Sequence, residues 1–169
     1  MKSTAYSNTL CPPDLSARPL GHTVERDFPF DPETLYQAWT IHFDQWFAAP
    51  GAILMKAAVN APYFFEVQFE GKRHPHYGRF LRLEPNRLVE ITWVTGEGGT
   101  KGAETVLTIE LSPRGAGTHL RLTHAGWPDE DSRAKNEAAW PSVLDHLARQ
   151  LSIMAPNNAL APNLVRGIS

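Results

Sequence analysis

The sequence predicts an α+β domain in which one curved antiparallel sheet wraps around a single long helix at its C-terminal end. Two observations carry that expectation. From Tyr63 to His124 apolar residues alternate with polar ones, whereas from Trp140 to Met154 they recur at helical spacing. A sheet with one apolar face and one amphipathic helix bury surface best by covering each other. A third observation sets the number of domains. The 169 residues show no internal repeat and no linker through the middle, and a chain of this size buries roughly 70% of its unfolded surface in one core.

Residues 1–20 are rich in Ser, Thr and Pro and lack periodicity, which predicts a flexible N-terminal arm ahead of a domain over 21–154. Residues 155–169 read the same way, as a C-terminal tail. The first strand is expected over Thr23 to Phe28, with Val24, Arg26 and Phe28 on one face. Asp31 is a suitable N-cap, Pro32 suits the first helical position, and Leu35, Tyr36 and Trp39 follow at helical spacing. A second short helix is expected from Ile41 to Phe47, closed by Pro50-Gly51.

The period then becomes two. Tyr63, Phe65, Val67 and Phe69 alternate with Phe64, Glu66 and Gln68, and Glu70-Gly71 marks a turn. Further strands are expected over Tyr77 to Leu83, Leu88 to Val94, Thr105 to Leu111 and Leu120 to His124, separated by Glu84-Pro85-Asn86, Gly96 to Gly99 and Pro113 to Gly117. Trp140, Val143, Leu144, Leu147, Leu151 and Met154 form one apolar helical stripe. Pro141 lacks a backbone N–H, so the helix is expected to start near Trp140 or to kink there.

Sixteen basic against 18 acidic residues give a net charge of -2, which argues against nucleic acid or an anionic membrane as partner. Cys11 is the single cysteine, so an intramolecular disulfide and a Cys-based zinc site are excluded. The first ten residues have no apolar signal-peptide core, and no apolar run reaches the roughly 18 to 20 residues of a membrane span. A cytoplasmic protein is expected.

Several short pieces in a fixed order carry a resemblance. They are Asp31-Pro32-Glu33 with Trp39, Gln45-Trp46-Phe47, His76-Tyr77-Gly78, Glu84-Pro85 with Arg87 to Glu90 and Thr92-Trp93, then Gly117-Thr118, Leu122 to Gly126, and Trp140 with Leu144 and Leu147. Over roughly residues 22 to 153 the chain resembles the START-like (SRPBCC, helix-grip) superfamily. Within it, the chain is similar to bacterial proteins related to the C-terminal domain of the activator of the Hsp-ninety chaperone ATPase. Ala61-Pro62-Tyr63 stands where many relatives have a Gly-Gly pair, and the chain has no room for the chaperone-activating domain of the eukaryotic activator.

The resemblance implies a cavity between the concave face of the sheet and the last helix. Alternation nominates Phe28, Trp39, Phe65, Val67, Tyr77 and Leu81 as lining from the first half of the chain. Trp93, Leu107, Ile109, Leu122, Trp140, Leu144 and Leu147 follow from the second half, with Arg79 and Glu90 as polar groups that orient a ligand. The competing reading is that the apolar members fill a dry core; the other is a pocket of roughly 300 to 1,000 Å³.

No metal or other cofactor is expected. His74 and His76 are separated by Pro75, and His119 and His124, five apart on a strand, point to opposite faces. Glu90 and His124 are the candidates for an acid or base, and no Ser/His/Asp or Cys/His arrangement stands out. The loop Gly96 to Gly102 leads into a strand rather than a helix, so it is read as a hairpin loop and not a phosphate cradle.

The leading expectation is therefore non-catalytic binding of a small hydrophobic or amphipathic molecule, by a monomer or homodimer. The alternatives are a cyclase- or dehydratase-type enzyme using the same cavity and a chaperone-associated interaction module of the stress response.

Overall fold

The computed structural model describes residues 6–155. The expected tail after Ala155 and the first five residues of the expected arm lie outside the described residues. Strand β1 (Leu20–Phe28) leads into helix α1 (Pro32–Ala38). The Asp31 carboxylate accepts the Thr34 N–H at 2.8 Å, and Pro32 opens the first turn. Where a second helix was expected, only a single 3-10 turn forms, over Phe43–Gln45. Tertiary contacts override the helical pattern there. The Trp46 indole N–H donates to the Ala38 carbonyl at the end of α1 (2.7 Å), and Phe43 and Trp46 are buried.

The remaining strands are β2 (Ile53–Leu54), β3 (Pro62–Phe69), β4 (Lys72–Glu84), β5 (Leu88–Trp93), β6 (Thr105–Arg114) and β7 (Gly117–Trp127). They form one seven-stranded antiparallel sheet in the order β1-β7-β6-β5-β4-β3-β2. Helix α2 (Glu130–Met154) closes the chain and packs over β1 and β7. It begins ten residues before Trp140, because Asp129 caps the Ser132 N–H (2.8 Å) and Arg133 pairs with Glu130 and Glu137. Pro141 thus sits inside the helix and does not start it. The first turns carry few large apolar residues, so the hydrophobic stripe marks only the second half.

Register places Val24, Leu122, Ile109 and Val89 side by side on the helix-facing side, with His124, Leu107, Ile91 and Phe80 as the neighbouring row. These rows, α1 and the stripe of α2 form one core. The opposite face carries an ion-pair lattice in which His119 meets Asp27 (2.7 Å) and Glu25 (3.3 Å), and Arg114 meets Asp27 (3.1 Å).

From Tyr6 onward, the segment expected as a flexible arm is laid against the sheet. Thr9 Oγ1 donates to the Leu81 carbonyl (2.6 Å), Arg79 donates to the carbonyls of Leu10 and Cys11, and Arg18 donates to those of Gly126 and Glu104. Its polar composition supplies partners for backbone groups that the strands leave free. Among the described residues no helix is long and apolar enough to cross a membrane.

Candidate functional site

At one end of the seam between sheet and helix, the β3–β4 hairpin, the loop after β5 and α2 diverge around a cavity of about 600 Å³. Phe47, Val67, Phe69 and Val143 supply its accessible apolar surface, and Trp93, Trp127 and Trp140, nearly fully buried, lie at its floor. His76 and Asn136 are the polar groups inside, and Glu70, Lys72 and Glu97 stand at the rim. The loop is braced: the Thr95 N–H donates to Thr100 Oγ1 (2.9 Å) and the Thr100 N–H to Thr95 Oγ1 (2.8 Å). Lys101 Nζ reaches Asp129 Oδ2 (3.0 Å), tying the loop to the start of α2.

Alternation along β4 brings His76 to the helix side. Its ring stacks on Phe65 (centroids 4.8 Å apart, planes 11° apart) and meets Trp93 edge-on at 5.0 Å. Nδ1 lies 2.9 Å from the His74 carbonyl, an acceptor only, so Nδ1 carries the proton and Nε2 is left as a lone-pair acceptor. Burial among these rings pushes the imidazole down to about 4. The neutral ring is therefore the form present at neutral pH.

Asn136, one turn before Trp140 on α2, sits at the centre of a buried polar cluster. Its Oδ1 accepts from Trp140 Nε1 (2.8 Å) and His22 Nε2 (2.7 Å), and His124 Nδ1 lies 3.1 Å away. An indole N–H can only donate, so the atom facing it is the amide oxygen, which turns the Asn136 amino group the other way. His124 Nε2 lies 2.8 Å from Thr105 Oγ1. Thr105 Oγ1 gives its single proton to the Trp93 carbonyl (2.6 Å), so it accepts from His124 Nε2. Complete burial pushes His124 down to about 3, and desolvation lowers His22 as well.

The structure separates the sequence-predicted residues into three groups. Val67, Trp93 and Trp140 line the cavity. Phe28, Trp39, Phe65, Leu107, Ile109 and Leu122, with Leu144 and Leu147, lie in the close-packed core and do not line it. Tyr77, Arg79, Leu81 and Glu90 are corrections, because all four lie on or towards the face away from α2. Tyr77 is half-exposed, Arg79 holds the N-terminal segment, and Leu81 sits in the bulge between Phe80 and Arg82. Glu90 is buried on that outer face, where its Oε2 accepts from Thr108 (2.7 Å) beneath Arg82.

The reason is a one-residue slip. The inward residues of β4 are His76, Gly78 and Phe80, a weakly apolar set, and a slip of one exchanges the faces of a strand. On β5 all six residues are buried, so alternation carries no face signal there. Sequence reasoning also missed Phe47, Trp127, Asn136 and Val143. For Asn136 a signal existed: it lies four residues before Trp140, on the same side of a helix.

A second, larger hollow of about 990 Å³ lies on the outer face along Glu25, Arg82, Glu110, His119 and Arg121. Both hollows open to solvent, but in this one charges of both signs pair, which leaves little field for an ionic ligand. Among the described residues no three His, Cys, Asp or Glu side chains converge as they would around a metal.

Residues 29–152 match the family model described as Activator of Hsp90 ATPase homolog 1-like protein. The chain belongs to that family. Its helix-grip architecture is shared with solved structures. A Chromobacterium violaceum protein is 26% identical with a TM-score of 0.66, over 76% of this chain and 94% of that one. The AHSA1 protein of Silicibacter pomeroyi is 25% identical with a TM-score of 0.67, over 80% and 99%. DynU16, a protein of the dynemicin biosynthetic locus, has the same fold at 20% identity and a TM-score of 0.66, over 85% of this chain and 49% of its own. No curated protein matches the sequence.

Proposed function

We propose that this member of the family binds a small hydrophobic or amphipathic molecule in the cavity between the β3–β4 hairpin and α2. The observation that carries the reading is the roughly 600 Å³ hollow whose accessible apolar lining is Phe47, Val67, Phe69 and Val143, with the nearly buried Trp93 and Trp140 at its floor. Its size falls within the range of ligand sites, and apolar walls with a few polar groups are their usual chemistry. Burying about 200 Å² of apolar ligand surface gains about 5 kcal/mol before the cost of immobilisation is subtracted.

The catalytic alternative rested on Glu90 and His124. Glu90 lies across the sheet from the cavity, and His124 is sealed behind Trp93 and Trp140, so neither side chain lines it. Binding without chemistry is the reading the geometry supports best.

The test is tryptophan emission and thermal shift of the whole chain against fatty acids, sterols and uncharged aromatic compounds. One chemical class is expected to quench emission and to raise the melting temperature by roughly 5 °C at saturating ligand. Val143→Trp, which fills the cavity from its wall, is expected to abolish that shift while the free protein still unfolds cooperatively. Loss of every response in the native chain, across the panel, would remove the reading.

A further inference from the structure

The outer face of the sheet is divided in two. On β1, β7 and β6 it carries paired charges, Glu25 and Asp27 with His119 and Arg114. At the other end, on β2, β3 and β4, it carries a cross-strand row of large apolar side chains. Register sets Leu54 opposite Phe64 and Phe64 opposite Tyr77, so the three are direct neighbours. They are 74%, 38% and 47% exposed. The solvated face of an antiparallel sheet is ordinarily polar, because alternation sends the apolar residues to the core. Here β3 is apolar on both sides: Tyr63 and Phe65 are buried, and Phe64 between them faces out.

The N-terminal segment passes beside this row. Arg79 holds the carbonyls of Leu10 and Cys11, and Leu10 stays 68% exposed at the border. With Leu10 the patch offers roughly 400 Å² of apolar surface, about half of the ~800 Å² that each partner brings to an interface of standard size. The core of an interface is more apolar than its rim, so a patch of this size suits the core and leaves the rim to polar neighbours.

The flanking charges favour a second copy of this chain. Glu66 lies two residues to one side of Phe64 along β3. Lys56 lies two residues beyond Leu54 on the other side, because β2 runs antiparallel to β3. Met55 packs on the core, so Lys56, which is exposed, points outward as Leu54 does. A two-fold axis along the row reverses the strands of the second copy but keeps them aligned, as face-to-face sheets require. It sets Leu54, Phe64 and Tyr77 each against its own equivalent and brings Glu66 beside Lys56 of the other copy. Glu66 already pairs with Arg73 at 3.2 Å, and the arrangement adds a second cation.

We infer that the outer face at Leu54, Phe64 and Tyr77 is the interface of a two-fold homodimer, in which Glu66 of each copy pairs with Lys56 of the other. The cavity opens on the helix side of the same strands, so the interface leaves it free.

Sedimentation equilibrium of the whole chain tests the inference. A monomer–dimer equilibrium is expected, with a dissociation constant of roughly 10 μM for an interface of this modest size. Leu54→Arg sets like charges across the axis and is expected to weaken association at least about tenfold. Its melting temperature is expected to match the native one, because Leu54 is mostly exposed. Lys56→Glu and Glu66→Lys are each expected to weaken association about fivefold, and the double variant to return to within about twofold of the native value. A chain that stays monomeric at about ten times the expected dissociation constant overturns the inference. Sedimentation of that monomer with phosphatidylcholine vesicles would give the face to a lipid surface instead. A dimer that both Leu54→Arg and Phe64→Lys leave unchanged also overturns it, since the contact then lies elsewhere. No recovery in the double variant overturns the pairing of Glu66 with Lys56.

Discussion

At the scale of single residues, the site is organised by hydrogen-bond valence rather than by charge. Asn136 Oδ1 accepts from two ring N–H groups, those of Trp140 and His22. Asn136→Leu, similar in volume, removes the acceptor and strands both donors. Each stranded buried donor costs about 1 to 3 kcal/mol, so a loss of about 3 kcal/mol is expected in urea denaturation. His76 shows the same logic in its titration. Its ring is held among Phe65, Trp93 and Phe47, and burial pushes it down to about 4. The Hε1 resonance of His76, followed by NMR, is therefore expected to stay at its neutral position from pH 8 to about pH 5 and to move only below that. A midpoint near 6.5 would mean that the ring is hydrated and the site open.

At the scale of elements, two joints hold the walls of the cavity in place. The first is where β4 crosses β5. A Cβ on Gly78 would lie 2.2 Å from the Thr92 carbonyl oxygen, which already accepts the Tyr63 hydroxyl. Thr92 Oγ1 takes the Arg79 N–H at 2.9 Å, so Thr92 cannot withdraw without losing a second bond. Gly78→Ala is expected to destabilise the fold by about 2 kcal/mol or more and to disturb the neighbouring His76, as read by denaturation and by the His76 resonance. The second joint is the start of α2. Asp129 caps Ser132 and holds Lys101 of the β5–β6 loop, and this partnership lowers its carboxyl to about 2. Asp129→Ala is expected to cost about 1 kcal/mol through the lost cap. It should also loosen the loop over the cavity, visible as faster amide exchange at Thr95 to Gly102.

At the scale of the whole molecule, the buried histidines make the fold sensitive to acid. His22, His76 and His124 all have folded-state values below the ordinary 6.5, with burial as the leading cause in each. Between 6.5 and those values the unfolded chain binds more protons than the folded one, so stability falls as pH falls. For fully buried His124, the window runs from about 6.5 down to about 3, with a limiting slope of about 1.4 kcal/mol per pH unit. His119 has the opposite sign. Asp27 and Glu25 raise it, so its contribution is present below 6.5 and fades as pH rises, but it is exposed and its effect is small. The expected outcome is a denaturation midpoint that drops steadily from pH 7 to pH 4, with a visibly shallower drop in His124→Gln. An unchanged midpoint over that range would show that these histidines are not dry.

The sequence by itself determined the fold class, the order of strands and helices and most of the core, because period-two and helical apolar patterns are written locally and each needs the other as cover. It also placed Trp140 and Val67 on the side that faces the helix, since each belongs to a clean alternation or stripe. The tertiary structure decided which parts of that side are packed and which are hollow. Phe65 alternates as Val67 does, yet Phe43 of the 3-10 turn and Phe47 pack against it, and with Leu107 it lies in the closed core. Only the tertiary structure assigned the faces of β4 and β5. The inward set of β4 includes His76 and Gly78, and β5 is buried on both sides because the N-terminal segment covers its outer face near Glu90. Alternation reports a contrast between a wet face and a dry one. Where both faces are dry, or the dry face carries a histidine and a glycine, that contrast disappears, and only the three-dimensional register tells the two sides apart.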